Sequence, residues 1–303
     1  MLEPEVILKI IDTSLKQNVI FGDLITSENK SFLAHNSLIR PAEPGLVLCQ
    51  QGQFDKSIFL IISGEAEVTM EFDGRTTWLA KPGTGDLVGE ISGLFLMPHI
   101  ATVTVTQPSI LLEIPSEVFL SMLDANQGMR NTINRRCKER IIENSLRCVP
   151  ELRKLDQGSF SELCYLSSLL TAKKGAILAQ EGKIERSIYV IYSGIVRVFI
   201  TVNGEEITIA ILRPGDYFGE YSCFTGKART ASVSALAYTR LVVLEGEAFQ
   251  SFVDYYEEVE SELNQKGLQR KQLLDRFRDD LISRQTAEQR MTQIQDMFNN
   301  LNL

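Results

Sequence analysis

The stretch Phe218-Gly-Glu-Tyr-Ser-Cys-Phe-Thr-Gly-Lys-Ala-Arg-Thr-Ala-Ser-Val233 decides how the chain is read. A Gly-Glu step opens a short segment of roughly helical length, and the pair Arg229-Thr230 follows. Strand-like sequence lies on both sides. Free backbone N–H groups at a helical turn bind small anions well, and an arginine adds a paired fork of donors. A carboxylate beside such a site cannot also hold a phosphate, but it can accept hydrogen bonds from a sugar hydroxyl. Phosphate and ribose in one small pocket describe a nucleotide.

The chain is a duplication. A shift of 130 positions superposes two long segments without a gap. Pro44-Gly45 falls on Lys174-Gly175, and Gln51-Gly52 on Glu181-Gly182. Ser57–Gly64 (SIFLIISG) falls on Ser187–Gly194 (SIYVIYSG). Gly85-Asp86 falls on Gly215-Asp216, Gly89-Glu90 on Gly219-Glu220, and Ala101-Thr102-Val103 on Ala231-Ser232-Val233. Each copy reads as short strands between turn residues. In the second copy the expected strands are 176–180, 188–192, 195–202, 205–212, 232–237 and 241–244. Val196, Val198, Ile200 and Val202 alternate along one of them. Asn203-Gly204 suits a two-residue hairpin, as does Asp73-Gly74 in the first copy. Many short antiparallel strands, with no room for crossover helices, predict a small roll or barrel.

The quoted stretch resembles the phosphate-binding cassette of the cyclic nucleotide-binding domain family, which includes the cyclic AMP receptors and the protein kinase A regulatory subunits. Phe218, Gly219, Glu220, Arg229, Thr230 and Ala231 carry the resemblance. It implies a mainly β fold with flanking α: two tandem jelly-roll-like β-rolls, joined and followed by helices. It implies that Arg229, Gly219 and the backbone N–H of Ser222 hold a phosphate and that Glu220 takes the ribose 2′-hydroxyl. Thr230 would donate to the phosphate or touch the base, which leaves cGMP open beside cAMP. A lid for the base is expected from the helix after the roll, with Tyr255, Tyr256, Val259 and Leu263 as candidates. The ligand is then a cyclic nucleotide, with no other cofactor, and occupancy passes through a helix rearrangement to a protein effector.

The first copy departs from this pattern. Gly89 and Glu90 keep their places, but His99 stands where the phosphate-binding arginine should be. An imidazole offers no bidentate fork. Losing a charge-assisted contact costs on the order of 1.5–3 kcal/mol, more than tenfold in affinity. The expectation is a first roll that no longer binds a cyclic nucleotide tightly. The alternative is a differently selective pocket in which the bound phosphate protonates His99.

The expected organisation is a helical segment over 1–37, a first roll over 38–123, connecting helices over 124–173, a second roll over 171–256 and a helical tail over 257–303. Val6, Ile7, Ile10 and Ile11 form an apolar stripe that packs on the first roll or meets a partner. Met129, Ile133, Cys137 and Ile141 recur at helical spacing, and Phe160 to Leu170 reads as a further helical set. In the tail, Leu274, Phe277 and Leu281 form one seam, and Met291, Ile294, Phe298 and Leu301 another. Gly267 marks a break, and Arg284 and Glu288 interrupt the seams. That suggests two helices, folded on the second roll, self-associating as a homodimer or meeting a partner helix.

Composition bounds the function. The 303 residues suffice for two domains, and 44% hydrophobic with 23% charged residues is a globular profile. A net charge of −8 gives no electrostatic reason to expect DNA, and no recognition-helix pattern follows the second roll. No apolar run approaches the roughly 20 residues that span a bilayer. Five scattered cysteines without a C-x-x-C pair, and two histidines, read against a zinc site and for reduced thiols in a cytoplasm. No metal cluster, P-loop or nucleophile–base pair points to an enzyme. A basic inhibitor segment of the kinase regulatory type is not seen before the first roll. An assembly adaptor and a transcription regulator of the cyclic AMP receptor type are the alternatives.

Overall fold

A computed structural model of the chain describes residues 3–15, 25–72 and 74–300. It divides into two compact units, Met1–Asn144 and Ser145–Leu303.

The first unit opens with α1 (Pro4–Leu15) and α2 (Ser27–Asn36). The strands β1 (Leu38–Ala42), β2 (Val47–Cys49), β3 (Ser57–Ser63), β4 (Ala66–Phe72), β5 (Arg75–Ala80) and β6 (Leu87–Val88) follow. After the short helix α3 (Glu90–Phe95) come β7 (Thr102–Val105), β8 (Ser109–Pro115), α4 (Ser116–Ala125) and α5 (Gln127–Arg147). The strands form two antiparallel four-stranded sheets, in the orders β1-β8-β3-β6 and β2-β7-β4-β5. Ile7 and Ile11 of the N-terminal stripe are buried with Ile58, Leu60 and Leu112 of the first sheet, whereas Val6 is exposed. The stripe therefore packs on the roll. Met129, Ile133 and Cys137 of α5 belong to the same core.

The second unit repeats this plan. A 3-10 turn (Pro150–Lys154) and α6 (Gln157–Tyr165) lead into β9 (Ser167–Ala172), β10 (Ile177–Ala179), β11 (Ile188–Ser193), β12 (Val196–Val202), β13 (Glu205–Leu212) and β14 (Tyr217–Phe218). The short helix α7 (Glu220–Thr225), β15 (Ser232–Ala235), β16 (Thr239–Leu244), α8 (Gly246–Val253) and α9 (Glu257–Asn300) complete it. The two sheets run β14-β11-β16-β9 and β10-β15-β12-β13. Eight strands in two antiparallel sheets are the jelly-roll arrangement that the turn spacing predicts. The β12–β13 hairpin pairs Val202 with Glu205, and Asn203 and Gly204 both take positive φ (53° and 87°), as a primed two-residue turn requires. In the first unit Phe72 pairs with Arg75, but Asp73 lies outside the described residues.

Two expectations are corrected. The apolar set Phe160 to Leu170 is not one helix. Helix α6 stops at Tyr165, and Ser167–Ala172 form a strand whose backbone groups pair along the whole of β16. That ladder outweighs a local apolar pattern too short to identify its own period. The tail is one helix rather than two: α9 runs 44 residues straight through Gly267. The glycine serves a close approach, because a Cβ there would lie 3.0 Å from the backbone of Tyr221 and 3.1 Å from Glu220 Cγ. Val259, Leu263 and Leu274 bury the first half of α9 in the second unit. The expected seam at Met291, Ile294, Phe298 and Leu301 lies outside the side chains described.

Candidate functional site

Strand β14 ends at Phe218, and the backbone then turns sharply at Gly219, whose φ of 99° favours glycine. A Cβ at Gly219 would meet the Ser187 carbonyl oxygen at 2.5 Å and Arg229 Nη1 at 2.4 Å. The first intrahelical bond of α7 runs from the Cys223 N–H to the Gly219 carbonyl, at 3.1 Å. The N–H groups of Glu220, Tyr221 and Ser222 precede it and have no acceptor within the helix.

Arg229 folds back beside this turn and is 4% exposed. Its Nη1 donates to the Gly219 carbonyl at 3.1 Å and its Nη2 to the Ser187 carbonyl at 2.8 Å. Its Nε lies 3.6 Å from Glu185 Oε2 and is buried without a hydrogen-bond acceptor. A guanidinium carries five N–H donors, so this one keeps donor capacity beyond its two backbone bonds. Glu220 is also buried, and its Oε1 accepts from Arg270 Nη1 at 2.7 Å. The same Nη1 donates to the Tyr217 carbonyl at 3.0 Å. Burial works against the charge of Arg270, but Glu220, together with Tyr217 and Asp216, outweighs it and holds the guanidinium above its ordinary pKa.

These groups face a cavity of about 530 Å³, within the usual range for small-molecule sites. Gly219, Glu220, Ser222, Arg229 and Thr230 all line it. The opposite wall is apolar and includes Leu273, Leu274 and Phe277 of α9. The lid expected at Tyr255, Tyr256, Val259 and Leu263 is therefore corrected. Tyr255 points to solvent, the Tyr256 hydroxyl donates to Ser159 Oγ, and Val259 and Leu263 are core residues. The helix first meets the cavity at Gly267, about one turn beyond Leu263.

The first roll repeats the frame with different chemistry. Gly89 takes the same left-handed turn (φ 83°) before α3. Buried Glu90 accepts from Arg140 Nη1 at 2.8 Å, and that nitrogen also donates to the Leu87 carbonyl at 2.8 Å. Arg140 and Arg270 are 130 positions apart, as are Leu87 and Tyr217. The duplication thus continues into the helices after each roll. His99 occupies the place of Arg229, and both its ring nitrogens are engaged: Nε2 with Asp55 Oδ2 at 2.7 Å and Nδ1 with Ser92 Oγ at 2.8 Å. Asp55 and Glu185 are another pair 130 positions apart. The cavity here is about 220 Å³, below the usual range, and Glu143 and Asn144 line it where the second roll has Leu273 and Leu274.

Linear spacing did not identify Arg140, Arg270, Asp55, Glu185 or Gly267. Carrying the 130-residue shift past the cassettes pairs Arg140 with Arg270, and the same shift pairs Asp55 with Glu185 ahead of them.

Among the described residues no helix is long and apolar enough to cross a membrane. The family model for the cyclic nucleotide-binding domain matches residues 39–126 and again 169–256. The cAMP-dependent protein kinase regulatory subunit of Yarrowia lipolytica is 26% identical over 244 residues, covering 80% of this chain and 61% of that protein. Its counterpart in Dictyostelium discoideum is 26% identical over 245 residues, covering 79% of this chain and 72% of that protein. Among solved structures, the regulatory domain of Toxoplasma gondii PKA in co-crystal with cAMP is 21% identical, with a TM-score of 0.40, and the match covers 88% of this chain and 99% of that one.

Proposed function

The chain belongs to the cyclic nucleotide-binding domain family, and from that premise we propose that it is a non-catalytic receptor whose second roll binds cAMP or cGMP and controls a protein kinase catalytic subunit. Arg229 and the N–H groups opening α7 hold the cyclic phosphate. The second oxygen of Glu220 accepts from the ribose 2′-hydroxyl. The apolar face of α9 covers the base, and Thr230 sits where it reaches phosphate or base. The first roll does not hold a cyclic nucleotide tightly. The kinase partner rests on the names of the relatives, and the ligand on the site.

The observation that carries this reading is the buried Nε of Arg229. An unsatisfied buried donor costs about 1–3 kcal/mol, more when charged. An anion at the mouth of α7 would engage the donors that Arg229 has not committed. Transmission follows from Arg270. Glu220 meets the ribose on one side and α9 on the other, so occupancy biases where that helix rests.

Calorimetric titration of cAMP and cGMP against the full chain tests this. One equivalent should bind, and Arg229→Ala should weaken binding more than tenfold, with a thermal melt to establish that the variant folds. Unchanged affinity in a folded Arg229→Ala protein would overturn the assignment.

A further inference from the structure

Where the second roll has Ala179, Glu185 and Arg229, the first has Cys49, Asp55 and His99. All three positions change together, from a small residue, an acid and a fixed cation to a thiol, an acid and an imidazole. Cys49 closes β2, Asp55 lies in the turn before β3, and His99 lies in the loop before β7. Folding brings together residues 50 positions apart, which no local motif would reveal. The Cys49 sulfur, a carboxylate oxygen of Asp55 and a ring nitrogen of His99 all lie within 4.8 Å of one another.

We propose that Cys49, Asp55 and His99 form a binding site for a thiophilic divalent cation, zinc above all, at the position the phosphate arginine occupies in the second roll. Thiolate, imidazole and carboxylate are the ligand set that zinc prefers. Zn–S of about 2.3 Å and Zn–N or Zn–O of about 2.0–2.2 Å place tetrahedral donors about 3.3–3.6 Å apart, so small side-chain rotations close the set. Three protein ligands leave a fourth position, open to the cavity that Cys49 and His99 line. Ser92 supplies the supporting hydrogen bond that metal-bound histidines need. On binding, Cys49 releases its thiol proton to solvent. The His99 ring proton moves to Nδ1, where Ser92 Oγ accepts it, and Nε2 turns its lone pair to the metal. Cys49 is 1% exposed. The plainer arrangement, a His99–Asp55 hydrogen bond beside a packing cysteine, takes up no metal in stoichiometric amount.

The test uses the untagged full chain, stripped with a chelator and dialysed. Zinc is titrated against a chromophoric indicator, and cobalt is followed by absorption. The expected result is one equivalent per chain, with a thiolate-to-cobalt charge-transfer band and the intense visible bands of a tetrahedral ion. Cys49→Ala should remove the charge-transfer band, and His99→Arg should weaken zinc binding at least tenfold. Cys164→Ala should change neither. Thermal melts of each variant establish folding. Less than half an equivalent bound, a cobalt spectrum without the thiolate band, or undiminished zinc affinity in both Cys49→Ala and His99→Arg would overturn the proposal.

Discussion

Arg270 reaches from the long C-terminal helix to Glu220, 2.7 Å away, and couples α9 to the first residue of α7. Breaking a buried pair from one side leaves a charge uncompensated, whereas removing both members costs less. The Arg270 side chain is 39% exposed, which tempers the penalty. Glu220→Gln and Arg270→Gln should each destabilise by about 1–2 kcal/mol and couple by about 1 kcal/mol in a double-mutant cycle. Urea unfolding of the four proteins measures this, and additive effects would show that the pair does not act as a unit.

Gly267 should resist substitution despite its helical setting. Alanine gains up to about 1 kcal/mol of helix propensity there. Its Cβ, however, meets Tyr221 backbone atoms at 3.0 Å, and a backbone neighbour does not yield cheaply. Gly267→Val should cost about 1–3 kcal/mol of stability and weaken ligand binding, with Gly267→Ala intermediate. Melting and calorimetry on both variants decide it. A stabilised, tight-binding Gly267→Val would mean that α9 does not need this close approach.

Leu273 separates binding from stability. It lines the cavity yet is 64% exposed, so little of the fold rests on it. Leu273→Glu installs the residue found 130 positions earlier, Glu143. Stability should change by no more than about 0.5 kcal/mol, while cyclic nucleotide affinity falls about tenfold as the base loses an apolar wall. Equal losses in both would argue against a lid role.

Alkaline pH should loosen the second unit through Cys223. Burial, the largest cause, raises its thiol from 9.0 to about 11, against the opposing pull of Arg229 and Arg186. Between those values the unfolded chain releases the proton and the folded chain keeps it, so the unfolded state binds fewer protons and stability falls as pH rises. The contribution is complete below pH 9 and lost by about pH 11, on the order of 1–3 kcal/mol. Cys223→Ala should flatten this part of a pH–stability curve measured by urea unfolding. An unchanged slope would place the alkaline loss on other groups.

The rolls were legible because turn glycines recur at a fixed offset and the strands alternate over enough residues to display their period. The hairpin at Asn203-Gly204 followed from positive φ alone. The cassette residues Gly219, Glu220, Ser222, Arg229 and Thr230 do line one cavity, because they are close in sequence and held by a single turn. Groups that arrive from elsewhere were not legible. Arg270 meets Glu220 across 50 residues, and Asp55 meets His99 across 44. Neither has a local pattern of its own. Gly267 was misread for a physical reason: propensity scores a glycine by what it lacks, and here the missing side chain is what lets the helix come close.

The unbroken course of α9 has a mechanical consequence. At 1.5 Å per residue, the 33 residues beyond Gly267, to Asn300, make an arm of about 50 Å. With its fulcrum against α7, a tilt of only 5° there would carry the far end through about 4 Å. A displacement too slight to see at the cassette would become, at the tip, a movement as large as the diameter of a side chain.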